Sequence, residues 1–454
     1  MGALDIAVVL FTRDLRMHDN PALATATAGA ERVVPLFVVD VHLGSAHASS
    51  ANRAAFLVDC LTDLRESLRG AGADLVIRHG DPVHEAVKLA RGTNAGVIHL
   101  AEDVSAYAAQ RLDRLRRAAG RERIEVHAHP GVTVVPPGEV APSIGDHFKV
   151  FTPYHRAWQH RRWRKLAARP RKLVLPGGIA AGRLPSASSI AKGTTSPQLP
   201  RGGEHEARKQ YQAWRQRGLT GYADSHDDIA GDATSRLSPY LHFGCVSPLE
   251  LARDAGDRQG GEPFVRQLCW RDFHHQVVAA FPAMGRDDYR SRGDCWRTDD
   301  EELRAWKEGH TGYPIVDAGM RQLAAEGWMH NRARLITSSF LVKDLYLDWR
   351  LGAEHFFDLL VDGDVANNNG NWQWVAGTGN DTRPNRVFNP LRQAERFDPV
   401  GEYVRRYVPE LAGVKGGAVH RPWDLPDDER HELHYPDRIV DHGEATARFR
   451  SARA

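Results

Sequence analysis

One feature restricts the fold more than any other. Over roughly the first 130 residues short apolar runs alternate with amphipathic ones, and after that the alternation stops. Strand patterns read at residues 6–11 (IAVVLF), 32–39 (RVVPLFVV), 74–78 (DLVIR), 96–100 (GVIHL) and 124–128 (IEVHA). Between them, NRAAFLVDCLTDLRESLRGAG and SAYAAQRLDRLRRAAG place apolar side chains at helical spacing, and each closes on glycine. Asn20-Pro21 and Asp81-Pro82 read as a capping residue followed by proline in the first helical turn, where the missing N–H costs nothing. A parallel strand pair needs a crossover long enough to hold a helix, so this alternation folds as a doubly wound parallel sheet. The loop after the first strand, TRDLRMHDNP, has no glycine. That excludes the usual dinucleotide fingerprint, and with it a nicotinamide dehydrogenase.

Residues 1–130 are therefore expected to form an α/β domain, 131–205 a basic segment and interdomain connection, and 206–454 a second, all-helical domain. The connection includes a Gly/Ser/Pro-rich stretch from Leu173 to Gly203 without periodicity. Beyond it, FVRQLCWRDFHHQVVAAF, YPIVDAGMRQLAAEG, MHNRARLITSSFLVKDLYLDW and GAEHFFDLLV all have helical spacing. The net charge of +2 conceals an asymmetry: His147–Gly203 holds twelve Lys or Arg and no Asp or Glu. Its densest part mixes arginines with Trp158 and Trp163, which fits either a nucleic-acid footprint or a linker helix with snorkelling arginines. Cys60, Cys245, Cys269 and Cys295 show no C-x-x-C spacing, so reduced thiols, a cytoplasmic setting and no zinc or iron–sulfur framework are expected. No apolar run approaches bilayer length.

The chemistry concentrates in LVDGDVANNNGNWQWVAGTGND, Leu360–Asp381, where acids and amides stand against Trp372 and Trp374. A calcium loop opening at Asp362 would want Asp or Asn at 366, Gly at 367 and Glu at 373; the chain has Ala366, Asn367 and Gln373. There is no H-E-x-x-H, G-x-S-x-G or phosphate-binding G-x-x-x-x-G-K-[ST], and the adjacent His274 and His275 point in different directions on a helix. What fits is a large planar heteroaromatic, which needs amides and carboxylates for its edge and flat apolar groups for its face. TSRLSPYLHFG offers the hydroxyls of Thr234, Ser235 and Ser238 before an apolar run, suited to a phosphate or simply to capping.

These segments, together with LFTRDLRMHDNPAL, TSRLSPYLHFGCVSP, GYPIVDAGMRQLAAEGWMHNRARLITSSFLVKDL, DGDVANNNGNWQW and FDPVGEYVRRYVPEL, resemble the photolyase/cryptochrome flavoproteins, and most closely their class I cyclobutane pyrimidine dimer photolyases. The resemblance implies FAD in the helical domain. Tyr222, Thr234, Ser235, Leu237 and Ser238 would lie on the pyrophosphate side; Arg271, Trp328, Arg334, Asp362, Asp364 and Asn368 would lie around the flavin and adenine, with Asn331 beside them. Asn368 would meet flavin N5, and an Asp362–Arg334 pair would sit beside an anionic reduced flavin. Trp270 and Trp374 would sandwich a flipped-out dimer, a step for which photolyases are a standing example. Trp296, Trp349 and Trp372 would relay electrons, and Arg332 and Arg386 would hold DNA phosphates. Arg13, Asp40, Arg53 and Asp103 correspond to a site for a second, light-harvesting chromophore of the 5-deazaflavin type, otherwise a folate, although Ser105 and Ala106 stand where Glu-Pro is common.

The implied activity is light-driven repair of pyrimidine dimers in damaged DNA, by electron transfer from excited reduced FAD, in a monomer that needs no membrane. Three departures bear on it: Gln267 replaces an acid in the motif E-x-x-W-R, Leu335 a methionine and Asn371 a glycine. The catalytic set so implied is Gln267, Trp270, Asn331, Asn368 and Trp374. The alternative is a cryptochrome-type photosensor without efficient repair.

Overall fold

The computed structural model describes residues 4–40 and 50–453. Five strands, β1 (Leu4–Leu10), β2 (Ala30–Asp40), β3 (Val76–Gly80), β4 (Val97–Ala101) and β5 (Glu125–His129), form one sheet in the order β3-β2-β1-β4-β5. Every pairing is parallel. The crossovers carry α1 (Pro21–Gly29), α2 (Ala51–Gly70), α3 (Pro82–Gly92) and α4 (Ala106–Arg121). Asn20 and Asp81 accept from Leu23 N and His84 N, so both capping dipeptides start helices. On β1, Ala7 and Val9 face α2 through Phe56, Leu61 and Leu64, whereas Ile6, Val8 and Leu10 face Ala86, Ala90 and Leu115. Burial on both faces is why the strands read as apolar runs with no alternation. Strand order reverses between β1 and β4, which opens a crevice at their carboxyl ends.

After β5 the chain forms α5 (Phe151–His160) and a single turn, α6 (Ala187–Ile190), in an otherwise irregular connection. Its backbone bonds outward: Val174 O accepts from Val33 N at 2.9 Å and Ala181 O from Ile77 N at 2.7 Å. The connection thus covers the β3 edge, where a bare strand would invite pairing with another chain. Gly182, at φ +78°, is needed there, since a Cβ would stand 2.6 Å from Ile77 O. A nucleic-acid role for Trp158 is corrected by the structure. Trp158 is buried, donates to Asp272 Oδ2 at 2.9 Å and meets Trp163 edge-on at 4.9 Å, so these indoles pack against the core while Arg161, Arg162, Arg169 and Arg171 face water.

The remainder is helical: α7 (Glu204–Arg217), α8 (Tyr222–Ser225), α9 (Ser238–Phe243), α10 (Pro248–Gly256), α11 (Glu262–Ala280), α12 (Asp300–Glu308), α13 (Pro314–Glu326), α14 (Asn331–Ser339), α15 (Trp349–Leu359), α16 (Val365–Ala376), α17 (Pro390–Phe397), α18 (Glu402–Tyr407), α19 (Asp427–Glu432) and α20 (His442–Ala452). Its core is built on Phe340, Trp349, Phe356 and Trp372. The two halves meet closely. Leu15 N donates to Phe243 O at 3.2 Å, Arg16 Nη1 to Gly244 O at 3.0 Å, and a Cβ on Gly244 would lie 1.9 Å from Arg13 O.

Candidate cofactor and substrate site

The centre of the site is the turn Asp362-Gly363-Asp364 between α15 and α16, on which three arginines converge. Arg334, from α14, reaches Asp362 Oδ2 at 2.8 Å. Arg13, from the loop after β1, bridges Asp103 at 3.3 Å and Asp364. Arg53, near the start of α2, donates to Leu360 O at 3.0 Å and to Phe357 O, and lies over the Phe357 ring at 4.4 Å. A Cβ on Gly363 would fall 2.7 Å from Arg53 Nη1, so the glycine lets the guanidinium approach the turn closely. Burial alone would raise the pKa of Asp364. Arg13, His275 and Arg271 outweigh that and hold the carboxyl well below the usual carboxylate range. Arg53 is pushed down to about 10 by burial, against the pull of Asp358 and Asp362.

This geometry corrects how the amides and acids after Leu360 are used. Asp364 caps α16 by accepting from Asn367 N at 2.9 Å, and its other oxygen belongs to Arg13. It is therefore an interdomain clasp as well as a cap, and Oδ2, which accepts from Arg13, keeps a second lone pair for a ligand. Asn367 donates back to Asp364 at 3.1 Å, Asn371 to Asn367 O at 2.7 Å, Asn369 to Gly285 O at 3.2 Å and Asn368 to Ala353 O at 2.9 Å. Much of the polar density thus satisfies caps and neighbouring carbonyls, as buried polar groups require. Gly370 admits His274, whose Nδ1 would be 2.4 Å from a Cβ there.

Other polar atoms around the turn have no internal partner. Asp362 Oδ1, Thr234 Oγ1, His330 Nε2 and His275 Nε2 are buried without a hydrogen bond among the described residues. Asp272 Oδ1, Asp344 Oδ2 and others elsewhere are open in the same way, so it is the chemistry of these four that suits the edges and phosphates of a dinucleotide such as FAD. Nearby, Ser238 accepts from Trp328 Nε1 at 3.1 Å, and Ser235 Oγ accepts from Leu237 N at 3.4 Å. Tyr222 is buried edge-on to Trp214 at 5.5 Å. Arg271 donates to Val132 O and, at 3.4 Å, to Leu241 O; burial lowers its pKa. Sequence reasoning missed Arg236, the middle residue of the Thr234–Ser238 loop. It takes φ +51°, lies over Trp328 at 4.2 Å and pairs with Glu326 at 2.6 Å. Its only sequence signal was its place between the hydroxyls.

The stacking and phosphate candidates lie toward the surface. Gln267 and Asn331 are exposed; Trp270 and Trp374 are half-buried. Trp270 is already stacked on Phe151, with centroids 3.6 Å apart and planes at 5°. Arg386 lies over Trp374 at 4.8 Å. Arg332, expected as a free phosphate contact, is instead held by Asp227 through Nε at 3.1 Å and Nη2 at 2.6 Å, above the Phe397 ring at 4.3 Å. Of the relay candidates, Trp372 packs edge-on to Phe356 at 4.9 Å and Trp306 at 6.0 Å. Trp349 donates to Asp288 at 2.9 Å, and Trp296 lies 5.1 Å from Tyr346.

In the crevice of the sheet, Asp40 accepts from Tyr107 OH, and Arg111 lies over the Tyr107 ring at 5.6 Å. Asp103 holds Arg13, so Arg13 and Arg53 bind the helical half while Asp40 and Asp103 line the crevice. Tyr107 and Arg111, one helical turn apart on α4, were also missed, and their position just after the switch-point strand was the available signal. The described residues contain no group of three metal-ligating side chains fit to hold a metal, and no helix long and apolar enough to cross a membrane.

Comparison with known proteins agrees with this layout. The family model described as DNA photolyase matches residues 7–171, and the one described as FAD binding domain of DNA photolyase matches residues 264–454. The deoxyribodipyrimidine photo-lyase of Streptomyces griseus is 54% identical, the match covering 99% of each chain. A Synechocystis cryptochrome structure superimposes with a TM-score of 0.91 at 28% identity, covering 100% of both chains. A Sulfolobus tokodaii photolyase solved with two FAD molecules gives 0.87 at 30% identity, covering 98% of this chain and 99% of that one. A clasped pair of domains, a cluster of orphaned polar atoms and relatives matched from end to end lead to one conclusion: the chain belongs to the DNA photolyase family of flavoproteins.

Proposed function

We propose that the chain splits cyclobutane pyrimidine dimers in DNA under light, with FAD bound in the helical half. Bound and reduced, FAD supplies on light absorption the electron that opens the dimer. The chain's residues provide the rest. Asp362 carries the reading: one oxygen is fixed by Arg334 and the other is buried without a partner among the described residues. A neutral group donating to that oxygen would complete the shell without adding charge. Thr234 and Ser238 offer hydroxyls to phosphates. Trp270 and Trp374 hold the flipped dimer between flat faces, and exposed Gln267 donates to a pyrimidine carbonyl. Trp296, Trp349 and Trp372 carry electrons inward from the surface. Because Arg332 is paired with Asp227, phosphate contact there proceeds by exchange of one anion for another. A second chromophore, a 5-deazaflavin, a folate or a flavin, occupies the crevice beside Asp40 and Asp103.

A photosensor without repair is the second reading, favoured by Gln267, which cannot pass a proton as an acid can. Illuminating FAD-loaded, reduced protein with an oligonucleotide bearing one thymine dimer separates the two. Recovery of thymine absorbance is expected, and faster with Gln267→Glu. No recovery from either protein, with dimer DNA bound no tighter than undamaged DNA, means the sensor.

A further inference from the structure

Phe151 opens α5, the longer of the two helices described in the acid-free segment that joins the two halves. Its ring is 6% exposed and lies parallel to the Trp270 indole at 3.6 Å. Other groups fix it as well. Phe273 meets it edge-on at 5.8 Å, His155 stacks at 5.4 Å and 18°, and the Arg266 guanidinium lies over it at 5.2 Å. The helix carrying Phe151 is itself tied to α11. Gln276 exchanges hydrogen bonds with both backbone groups of Phe148, at 3.0 and 2.8 Å, and Trp158 is bound to Asp272. A ring held by His155 of its own helix and by Arg266, Trp270 and Phe273 of α11 does not swing aside as a gate. It is a fixed layer.

We infer that Phe151 is a positioning residue for damage recognition: it backs the Trp270 indole, so that the indole meets the flipped-out dimer as a rigid platform. The inference rests on the reading of Trp270 as a stacking residue. A half-buried indole without a backing ring would sample several rotamers, and fixing it only on binding would weaken every stacked complex. Parallel aromatic contact supplies that order in advance, with a modest energy beyond area burial. Arg266, one turn before Trp270 and beside exposed Gln267, holds the other partner of the stack and ties the rim of the pocket to α5.

The test compares affinity for a duplex carrying one thymine dimer with affinity for the same duplex undamaged, in wild type, Trp270→Ala, Phe151→Ala, Phe151→Leu and Phe151→Tyr. Phe151→Ala and Phe151→Leu are expected to lower the damaged-to-undamaged ratio roughly two- to tenfold, the range of one aromatic pair. Phe151→Tyr, which keeps the ring, restores it, and undamaged DNA binds all variants alike. If Phe151→Ala does not fold, Phe151→Leu against Phe151→Tyr decides. A ratio unchanged or raised in Phe151→Leu overturns the inference while Trp270→Ala still loses discrimination. If wild type itself shows no preference for the dimer, the proposed repair function fails instead.

Discussion

Asp81 and Asp364 perform the same local task in opposite halves of the molecule. Each caps a helix, accepting at 2.9 Å from the backbone N–H three residues on. Asp81 is 19% exposed, and its other oxygen meets the exposed Arg114 at 2.7 Å. Asp364 is 5% exposed, and the same carboxylate holds Arg13 and so joins the sheet to the flavin-domain helices. The contrast extends through both halves. Strands β1 and β2 bury apolar side chains that any residue of similar volume could replace. The helical half buries Asp272, Asp317, Lys343 and Asp344. Asp317 is met by Thr311, Gly312 and Tyr435, and Lys343 donates to Ala376 O at 3.0 Å and Pro384 O at 2.9 Å. Burial pushes Lys343 down to about 6. Apolar burial tolerates approximate fit, whereas buried charge needs named partners. The loop after β1 buries charge as well, at Asp14, Arg16 and Asp19, so fragility to single changes follows the buried charges of the helical half and of the contact between the halves, not the apolar strands.

Three measurements challenge that contrast. The largest effect is expected from Asp364→Ala. It removes a cap and leaves the largely buried Arg13 with only Asp103 as counter-charge and the His242 carbonyl, so denaturant unfolding should show a loss of about 3–5 kcal/mol. A loss near that of an ordinary cap would mean that the clasp is energetically idle. Next comes acid. Burial depresses His274, His330 and His355 in the helical half, and His99 in the sheet, to about 4. Groups depressed in the folded state take up protons on unfolding, so stability is full above about 6.5 and drains as pH falls toward 4. Asp272 and Asp344, raised to about 6 by burial, oppose this, as do Asp14, Asp317 and Asp398, but burial lowers His129, His155, His242 and His275 too, so the imidazoles outnumber the carboxyls. The thermal midpoint should therefore fall between pH 7 and pH 5, and a flat or rising profile would contradict the buried-neutral assignment. The smallest effect is Asp81→Ala, about 1 kcal/mol for a cap alone. If it equals Asp364→Ala, the two halves do not differ as argued.

The α/β half was legible because its rules are local. Asn20-Pro21 and Asp81-Pro82 announce their helices, and strand runs need only their own neighbours. In the site, the pairing of Arg334 with Asp362 was anticipated, but the use of the amides was not. Asn367, Asn369 and Asn371 bond to groups within their own helix or to a carbonyl at Gly285, and spacing does not distinguish that from ligand recognition. The pairing of Arg332 with Asp227 was not legible, because Asp227 stands more than a hundred residues before it. Trp158 read as an interleaved aromatic because Asp272 is equally remote.

From its letters alone the chain set which segments become strands and helices, where the sheet ends, and which residue types gather near Leu360. Hydrophobic periodicity and capping act over one or two turns, so those outcomes follow without knowledge of distant partners. Only the tertiary structure decided that Arg13 and Arg53 reach across to the Asp362-Gly363-Asp364 turn, that Phe151 backs Trp270, and which buried oxygens are left open. Charge pairing and ring stacking operate between atoms a few ångströms apart, and the folded path of the backbone brings those atoms together.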